Sequence, residues 1–338
     1  MKIGLFFLFK KKSVYGEENI PKKGAVIFIG NHQNALIDAL LIPTTISRNI
    51  HFLTRASAFK IGIVNKILRS LNMIPVFRIR DGIRTIEKNV DVFEQCIEIL
   101  KQEKGIQIFA EGDHNLERRI RPFKKGFARI ILGTLQKYPD LTIYIVPVGI
   151  NYDSHLNFPS STSVYYGKPI LANKFIDIKN PDLKFKEITN QVLEALKNLT
   201  LHVEDLDNYN EIIGKLKALN VDYLNPSEAN KLLKNIEAIP STAYRKKNKI
   251  NWFAPIHLIA KINSIFPLLI WKYIKRNIQD VVFTNTYRFV LIATLFPLFY
   301  LIQAGIVYYI FDLKFAVIYL ISCIILGIIS TKTTPICQ

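Results

Sequence analysis

From Phe289 to Phe311 the chain reads FVLIATLFPLFYLIQAGIVYYIF, 23 residues without a formal charge. As a helix rising 1.5 Å per residue, this run would be roughly 35 Å long, enough to cross a ~30 Å hydrocarbon layer. Only Asp312, Leu313 and Lys314 separate it from a second apolar run, Phe315 to Thr331. So short a connection predicts an antiparallel helical hairpin at about 289–331. A buried helix pair in a water-soluble fold is the competing reading, but Pro297 inside the first run and the scarcity of polar residues favour a membrane. Lysines and arginines at 245, 246, 247, 249, 272, 275, 276 and 288 precede the hairpin. The positive-inside bias therefore predicts that the preceding chain lies on the cytoplasmic face.

The formal net charge of +18 calls for a negative partner: nucleic acid, an anionic membrane surface, or a phosphorylated or acidic substrate. Its distribution narrows the choice. Residues 244–288 carry 9 basic residues against 1 acidic, whereas residues 201–243 carry 4 against 7, a pattern expected when basic surfaces face lipid and the segment between them faces water. Aromatics interleaved with base-reading polar residues on a nucleic-acid module are not found, so no nucleic-acid partner is expected. The N-terminal MKIGLFFLFKKK is too short for a signal peptide's apolar region. It reads as an interfacial anchor, with Phe6, Phe7 and Phe9 entering the headgroup zone and Lys10 to Lys12 meeting anionic lipid. Cys96, Cys323 and Cys337 are odd in number and show no ligand spacing, which argues against a disulfide framework and a zinc site. These divisions predict three parts: 1–200 with the anchor, a polar helical connector over 201–250, and membrane-associated helices over 251–338.

The first part alternates strand and helix. AVIFI (25–29), IHFLT (50–54), IQIFA (106–110) and LTIYIVPVGI (141–150) read as buried strands. Between them Ile86, Val90, Phe93, Ile97 and Leu100 recur at helical spacing, and Phe127, Ile130 and Ile131 mark another helix. Such alternation predicts an α/β fold with a layered, largely parallel sheet flanked by helices, whose ligands gather at the carboxyl ends of the strands.

Polar residues recur where those strands stop: Asn31, His32 and Asp38 in GNHQNALIDALL, Arg78 and Arg80 in NMIPVFRIRD, and Glu111 and Gly112 in FAEGDHN. Each alone has a structural explanation, and His114 in particular reads as a solvated loop residue. The set in order does not. NHQNALID, NMIPVFR, FAEG and VPVGI resemble the four ordered blocks of the glycerophospholipid acyltransferase superfamily, which includes 1-acylglycerol-3-phosphate and glycerol-3-phosphate acyltransferases. The likeness spans roughly residues 15 to 170. Three positions depart from the commonest pattern: five residues rather than four separate His32 from Asp38, Asn72 stands for a Gly, and Ala110 stands for a Pro.

The resemblance implies an acyltransferase domain over 1–200 that moves a fatty acyl group from acyl-CoA or acyl carrier protein to the hydroxyl of 1-acylglycerol-3-phosphate. It implies His32 as general base with Asp38 orienting it, Arg78 on the acceptor phosphate, and Glu111, with Asn31 and Gly112, toward the acceptor. Arg80, Lys124 and Lys125 are auxiliary candidates from charge and position. A thioester is attacked directly in this scheme, so no metal and no resident cofactor are expected. Two alternatives stay open: glycerol-3-phosphate or an acylated amino acid as the acceptor, and a non-enzymatic basic protein binding membrane or nucleic acid.

Overall fold

A computed structural model of the chain describes residues 1–77, 89–236 and 251–335. Its centre is an eight-stranded sheet: β1 (Phe9–Tyr15), β2 (Ala25–Gly30), β3 (Ile50–Arg55), β4 (Met73–Val76), β5 (Gly105–Ile108), β6 (Ile143–Tyr152), β7 (Ser160–Tyr166) and β8 (Ile170–Leu171). The spatial order is β1-β7-β6-β2-β5-β3-β4, with β8 antiparallel on β6. All other pairings are parallel except β6 with β7.

The apolar runs form strands because they are buried from both sides. β2 sends Ala25, Ile27 and Ile29 to one face and Val26 and Phe28 to the other, following the period of two. The first face is covered by α4 (Asn89–Lys101), α5 (Gly126–Lys137) and α6 (Pro181–Lys197). The second is covered by α1 (Lys2–Leu8) and α2 (Ala35–Thr45), with α3 (Gly62–Ser70) at its margin through Leu68. The chain leaves β2 through α2 toward β3, and leaves β5 through α5 toward β6, on the other side of β2. Right-handed crossovers running in opposite directions must lie on opposite faces. The carboxyl ends of β2 and β5 therefore border a topological switch point, where open α/β sheets bind ligands.

Two expected strands differ by small shifts: β5 ends at Ile108, and β6 runs from Ile143 to Tyr152. Ile86, Arg78 and Arg80 lie outside the described residues. The N-terminus departs more. Leu5, Leu8 and Phe9 are core residues, the Phe9 ring lies 6.1 Å from the Tyr152 ring, and Lys10 to Lys12 run along β1 at the sheet edge. Phe6 alone of the three expected aromatics stays clearly exposed. Lysines along an edge strand deter pairing with other chains.

Residues 201–236 contain α7 (Tyr209–Ala218) and α8 (Pro226–Lys234) around a small apolar cluster of Leu201, Val203, Leu216, Val221, Tyr223, Ala229 and Ile236. The rest of the expected connector, 237–250, lies outside the described residues, as do the basic residues at 245–249. Beyond it, α9 (Ala254–Asn263) and α10 (Ile265–Arg276) bend by 84° at their junction. A continuous 30-residue helical stretch, Val281–Ile310, and α13 (Leu313–Thr333) are long and apolar enough to cross a membrane. The stretch comprises a short 3-10 turn at Val281–Phe283, α11 (Thr284–Ala293) and α12 (Leu295–Ile310), the two α-helices meeting at Thr294, whose φ of −126° and ψ of −66° are not helical. Pro297 sits three positions into α12, where a missing N–H breaks no intrahelical bond. α13, at 21 residues, exceeds the expected Phe315–Thr331 run and reaches roughly 31 Å.

Candidate active site

β2 ends at Gly30, and the next eight residues build the centre of the site. Asn31 is fully buried, and its amide clamps the neighbouring strand: Nδ2 donates to Ile150 O at 2.9 Å, and Oδ1 accepts from Ile150 N at 2.7 Å. Asn31, expected toward the acceptor, uses its amide to fix the loop to β6. His32 follows, with 14% of its side chain exposed, and Asp38 lies fully buried in the first turn of α2.

The five intervening residues fold so that Asp38 reaches back. His32 Nδ1 lies 2.9 Å from Asp38 Oδ2, and the same oxygen accepts from Gln33 N at 2.7 Å and Asn34 N at 2.6 Å. Asp38 Oδ1 accepts from Tyr152 Oη at 2.5 Å. With Nδ1–H donated to Asp38, Nε2 is left as the basic nitrogen. The ring lies parallel to Phe109, with centroids 4.0 Å apart and planes 6° apart. Burial pulls the imidazole's proton affinity below the usual histidine value despite Asp38's opposing pull, so it is neutral at pH 7.

Glu111 sits just past β5. Its Oε2 pairs with Arg121, at 2.6 Å from Nη2 and 2.7 Å from Nε, while Oε1 has no hydrogen-bond partner among the described residues. Burial raises the carboxyl to about 7, against the opposing pull of Arg121. Arg121 also donates to Asp113 O and lowers the proton affinity of His32. Gly112 has φ +73°, and a Cβ there would lie 3.0 Å from Lys124 Cγ, so glycine answers both the left-handed turn and the close approach. Lys124 and Lys125 are exposed at the start of α5. Lys124 N donates to Ala110 O, whereas the Lys125 ammonium lies 5.8 Å from the Phe185 ring on α6.

His114 is not a solvated residue. Its side chain is 11% exposed, Nε2 lies 3.0 Å from Asp280 Oδ2, and its ring stands edge-on to His32 at 5.6 Å and to Phe283 at 5.0 Å. Asp280 and Phe283 lie at the start of the membrane-length stretch, and Asp280 is 166 positions from His114 along the chain. Sequence reasoning missed these two, together with Arg121, Phe109 and Tyr152. Only Tyr152 left a signal: it continues the inward alternation Val146, Val148, Ile150, and a tyrosine in such a row needs a buried partner for its hydroxyl.

His32, Asp38, Glu111 and Gly112 are thus gathered at the ends of the adjacent strands β2 and β5, with Lys124 beside them. Chemically the group holds a neutral imidazole oriented by a carboxylate, and an acidic group with one oxygen that lacks a partner among the described residues. A family profile described as Acyltransferase matches residues 11–151. The chain is 30% identical over 221 residues to a 1-acyl-sn-glycerol-3-phosphate acyltransferase of Borreliella burgdorferi, covering 65% of this chain and 78% of the relative. It is 31% identical to glycerol-3-phosphate O-acyltransferase 1 of Saccharomyces cerevisiae over 34% of this chain and 16% of that much longer relative. The crystal structure of a 1-acyl-sn-glycerophosphate acyltransferase from Thermotoga maritima aligns with a TM-score of 0.40 and 23% identity, over 58% of this chain and 79% of that one.

Proposed function

Given that this chain belongs to the glycerophospholipid acyltransferase superfamily, we propose that it transfers a fatty acyl group from acyl-CoA or acyl carrier protein to the free hydroxyl of 1-acylglycerol-3-phosphate, with His32 as the base. The observation that carries this reading is the 2.9 Å His32–Asp38 contact beside Glu111. A glycerol hydroxyl is a weak nucleophile at neutral pH. As its oxygen attacks the thioester carbonyl carbon, Nε2 of His32 takes the hydroxyl proton. The ring then carries positive charge opposite Asp38, as in other His–Asp pairs. Collapse of the tetrahedral intermediate breaks the C–S bond, and the leaving thiolate regains the proton from His32.

Glu111 Oε1 is an acceptor without a partner among the described residues, suited to a second acceptor hydroxyl or backbone-like donor. Arg78 is assigned to the acceptor phosphate on the family resemblance, with Arg80 and Lys124 as auxiliary positive charges. The membrane-length helices support association with a bilayer, where such an acceptor would reside, and the basic residues before them support an active domain on the cytoplasmic face.

The test is the full chain in lipid nanodiscs with a labelled acyl donor, offered lysophosphatidate, glycerol-3-phosphate and an acylated amino acid in parallel. Phosphatidate is the expected product, and His32→Ala is expected to lower its formation roughly 10²- to 10⁴-fold. A folded His32→Ala protein that keeps transferring acyl groups would overturn the catalytic assignment, and preference for another acceptor would overturn the substrate.

A further inference from the structure

The first and last helices frame a cleft built from residues outside the His32–Glu111 centre. α1, the start of β1 and the C-terminal half of α13 border an open groove of about 770 Å³. Its floor is apolar, with Phe6, Phe7, Ile324 and Ile328, and its charged groups are the ammonium ions of Lys2, Lys10, Lys12 and Lys332; no carboxylate among the described residues lines it. The walls are stitched together. Lys332 Nζ donates to Phe6 O at 2.8 Å and Phe9 O at 2.6 Å and lies 3.9 Å from the Phe6 ring, while Lys10 Nζ donates to Thr334 O at 3.0 Å. A Cβ at Gly327 would sit 3.3 Å from the Phe7 ring, so this glycine lets α1 lie close against α13.

Lys2 and Lys12 are different. Neither makes a hydrogen bond or ion pair with the described residues. They are near enough that partial burial, together with the charge of Lys2, holds the Lys12 ammonium below the usual lysine value against a weaker opposing pull from Glu17. Two unpaired cations over an apolar floor ask for an anion with a hydrophobic tail. Depth along α13 says where that tail goes. Lys332 is in the last turn of a helix of spanning length, at headgroup level, and Ile328 and Ile324 lie roughly 6 and 12 Å further along the axis, toward the acyl region. A free phosphate would satisfy the rim and leave the apolar floor bare.

We propose that this cleft is a binding site for an anionic phospholipid, its phosphate held by Lys2 and Lys12 and one acyl chain laid along Phe6, Ile324 and Ile328. The site tethers the N-terminal helix, and with it the sheet edge at β1, to the lipid surface beside the last helix. This assignment depends on the membrane placement of α13 and is independent of the acyl-transfer chemistry.

The experiment uses the full chain in phosphatidylcholine nanodiscs containing a photoactivatable phosphatidylglycerol, with crosslinks mapped by peptide mass. Labelling is expected on residues 2–12 and 324–332, and on the phosphatidylcholine analogue it should fall at least about fivefold. Lys2→Gln and Lys12→Gln are each expected to reduce it about fivefold, the weight of one lysine at an anionic surface. Ile328→Trp, which fills the floor without touching the charges, should reduce it as well. Acyl transfer per mole of enzyme should stay within about twofold in all three variants. Labelling that ignores both lysines, that is equal for the zwitterionic analogue, or that millimolar inorganic phosphate displaces would overturn the proposal. Labelling is read whether or not the chain transfers acyl groups, so it fails separately from the catalytic reading.

Discussion

Asp38→Asn tests the charge of the His32–Asp38 pair without disturbing its geometry. Among the described residues, Asp38 Oδ2 accepts from three groups, His32 Nδ1, Gln33 N and Asn34 N, whereas Oδ1 accepts only from Tyr152 Oη. An asparagine will therefore place its carbonyl oxygen at the three-donor position and its NH₂ toward Tyr152, whose hydroxyl can rotate to accept. His32 keeps its Nδ1–H donor and its tautomer. What disappears is the negative charge that faces the imidazolium as it forms. Two unit charges ~4 Å apart at an effective dielectric of about 20 interact by about 4 kcal/mol, and the amide dipole restores part of this. The maximal rate should fall roughly 10²- to 10³-fold at constant fold. The pH profile carries an independent sign. Burial already lowers the proton affinity of His32, and Asp38 works against that lowering. Without the carboxylate the value drops further, so the acid limb of kcat/KM must move to lower pH while its plateau falls. Acyl transfer in nanodiscs from about pH 4.5 to 8.5, with apparent Tm as the fold control, reads both. An unchanged plateau, or an acid limb displaced upward, refutes the role given to Asp38.

Glu111→Gln removes a group whose folded value, about 7, lies above that of a free glutamate. The native state binds that proton more tightly than the unfolded chain, so this contribution is complete below about 4.5 and is lost as pH rises through about 7. Relative to Glu111→Gln, the unmodified chain should therefore lose stability over that interval, by an amount on the order of 3 kcal/mol, seen as converging or crossing thermal midpoints. Arg121→Ala removes the charge that favours ionised Glu111, so the carboxyl takes up a proton and the loss, on the order of 1–3 kcal/mol, grows as pH rises above about 7, with Glu111→Gln in the same chain restoring much of it in a double-mutant cycle. Asn31→Ala leaves the Ile150 N–H and C=O unpaired in a fully buried setting and should lower stability by roughly 2–4 kcal/mol, measured by denaturant midpoint, with a loss of activity from misplacing His32.

The sheet was legible because its central strands are buried on both faces: an apolar run such as Ala25–Ile29 has few other solutions at that length, and the strand boundaries differ by about two residues or fewer. The roles of His32 and Asp38 were legible only through the family resemblance, in which one short segment carries both, and the structure brings the two side chains within 2.9 Å. The rest of the site comes from residues brought together over long separations. Tyr152 meets Asp38 across 114 positions, and Asp280 meets His114 across 166. No local pattern encodes such meetings, which is why His114 reads as a solvated loop residue until the membrane-proximal segment is seen to cover it. Phe9 was misplaced by a switch in local conformation. Leu5 and Leu8 follow the helical period, but the chain becomes strand at Phe9 and turns that ring inward.

The membrane-length stretch is fastened to the site by more than its covalent connection. Asn285 Nδ2 donates to His155 O at 2.8 Å, and Arg288 Nη1 donates to Asn157 O at 3.3 Å and to Asn285 Oδ1 at 2.8 Å. His155 Nε2 in turn lies 3.1 Å from Gln33 Oε1, and Gln33 N is one of the donors that hold Asp38. A continuous polar chain therefore runs from the start of α11 to the residue next to His32, and a second contact, Asp280 with His114, closes the same gap from the other side. For a reaction whose acceptor is itself held in a bilayer, the hydroxyl must come within about 3 Å of Nε2. A loosely tethered domain would lose much of the benefit of orientation at each encounter. In the proposed reaction, these two linkages tie the base to the membrane-length stretch, so that a bilayer holding that stretch would help to position the acceptor.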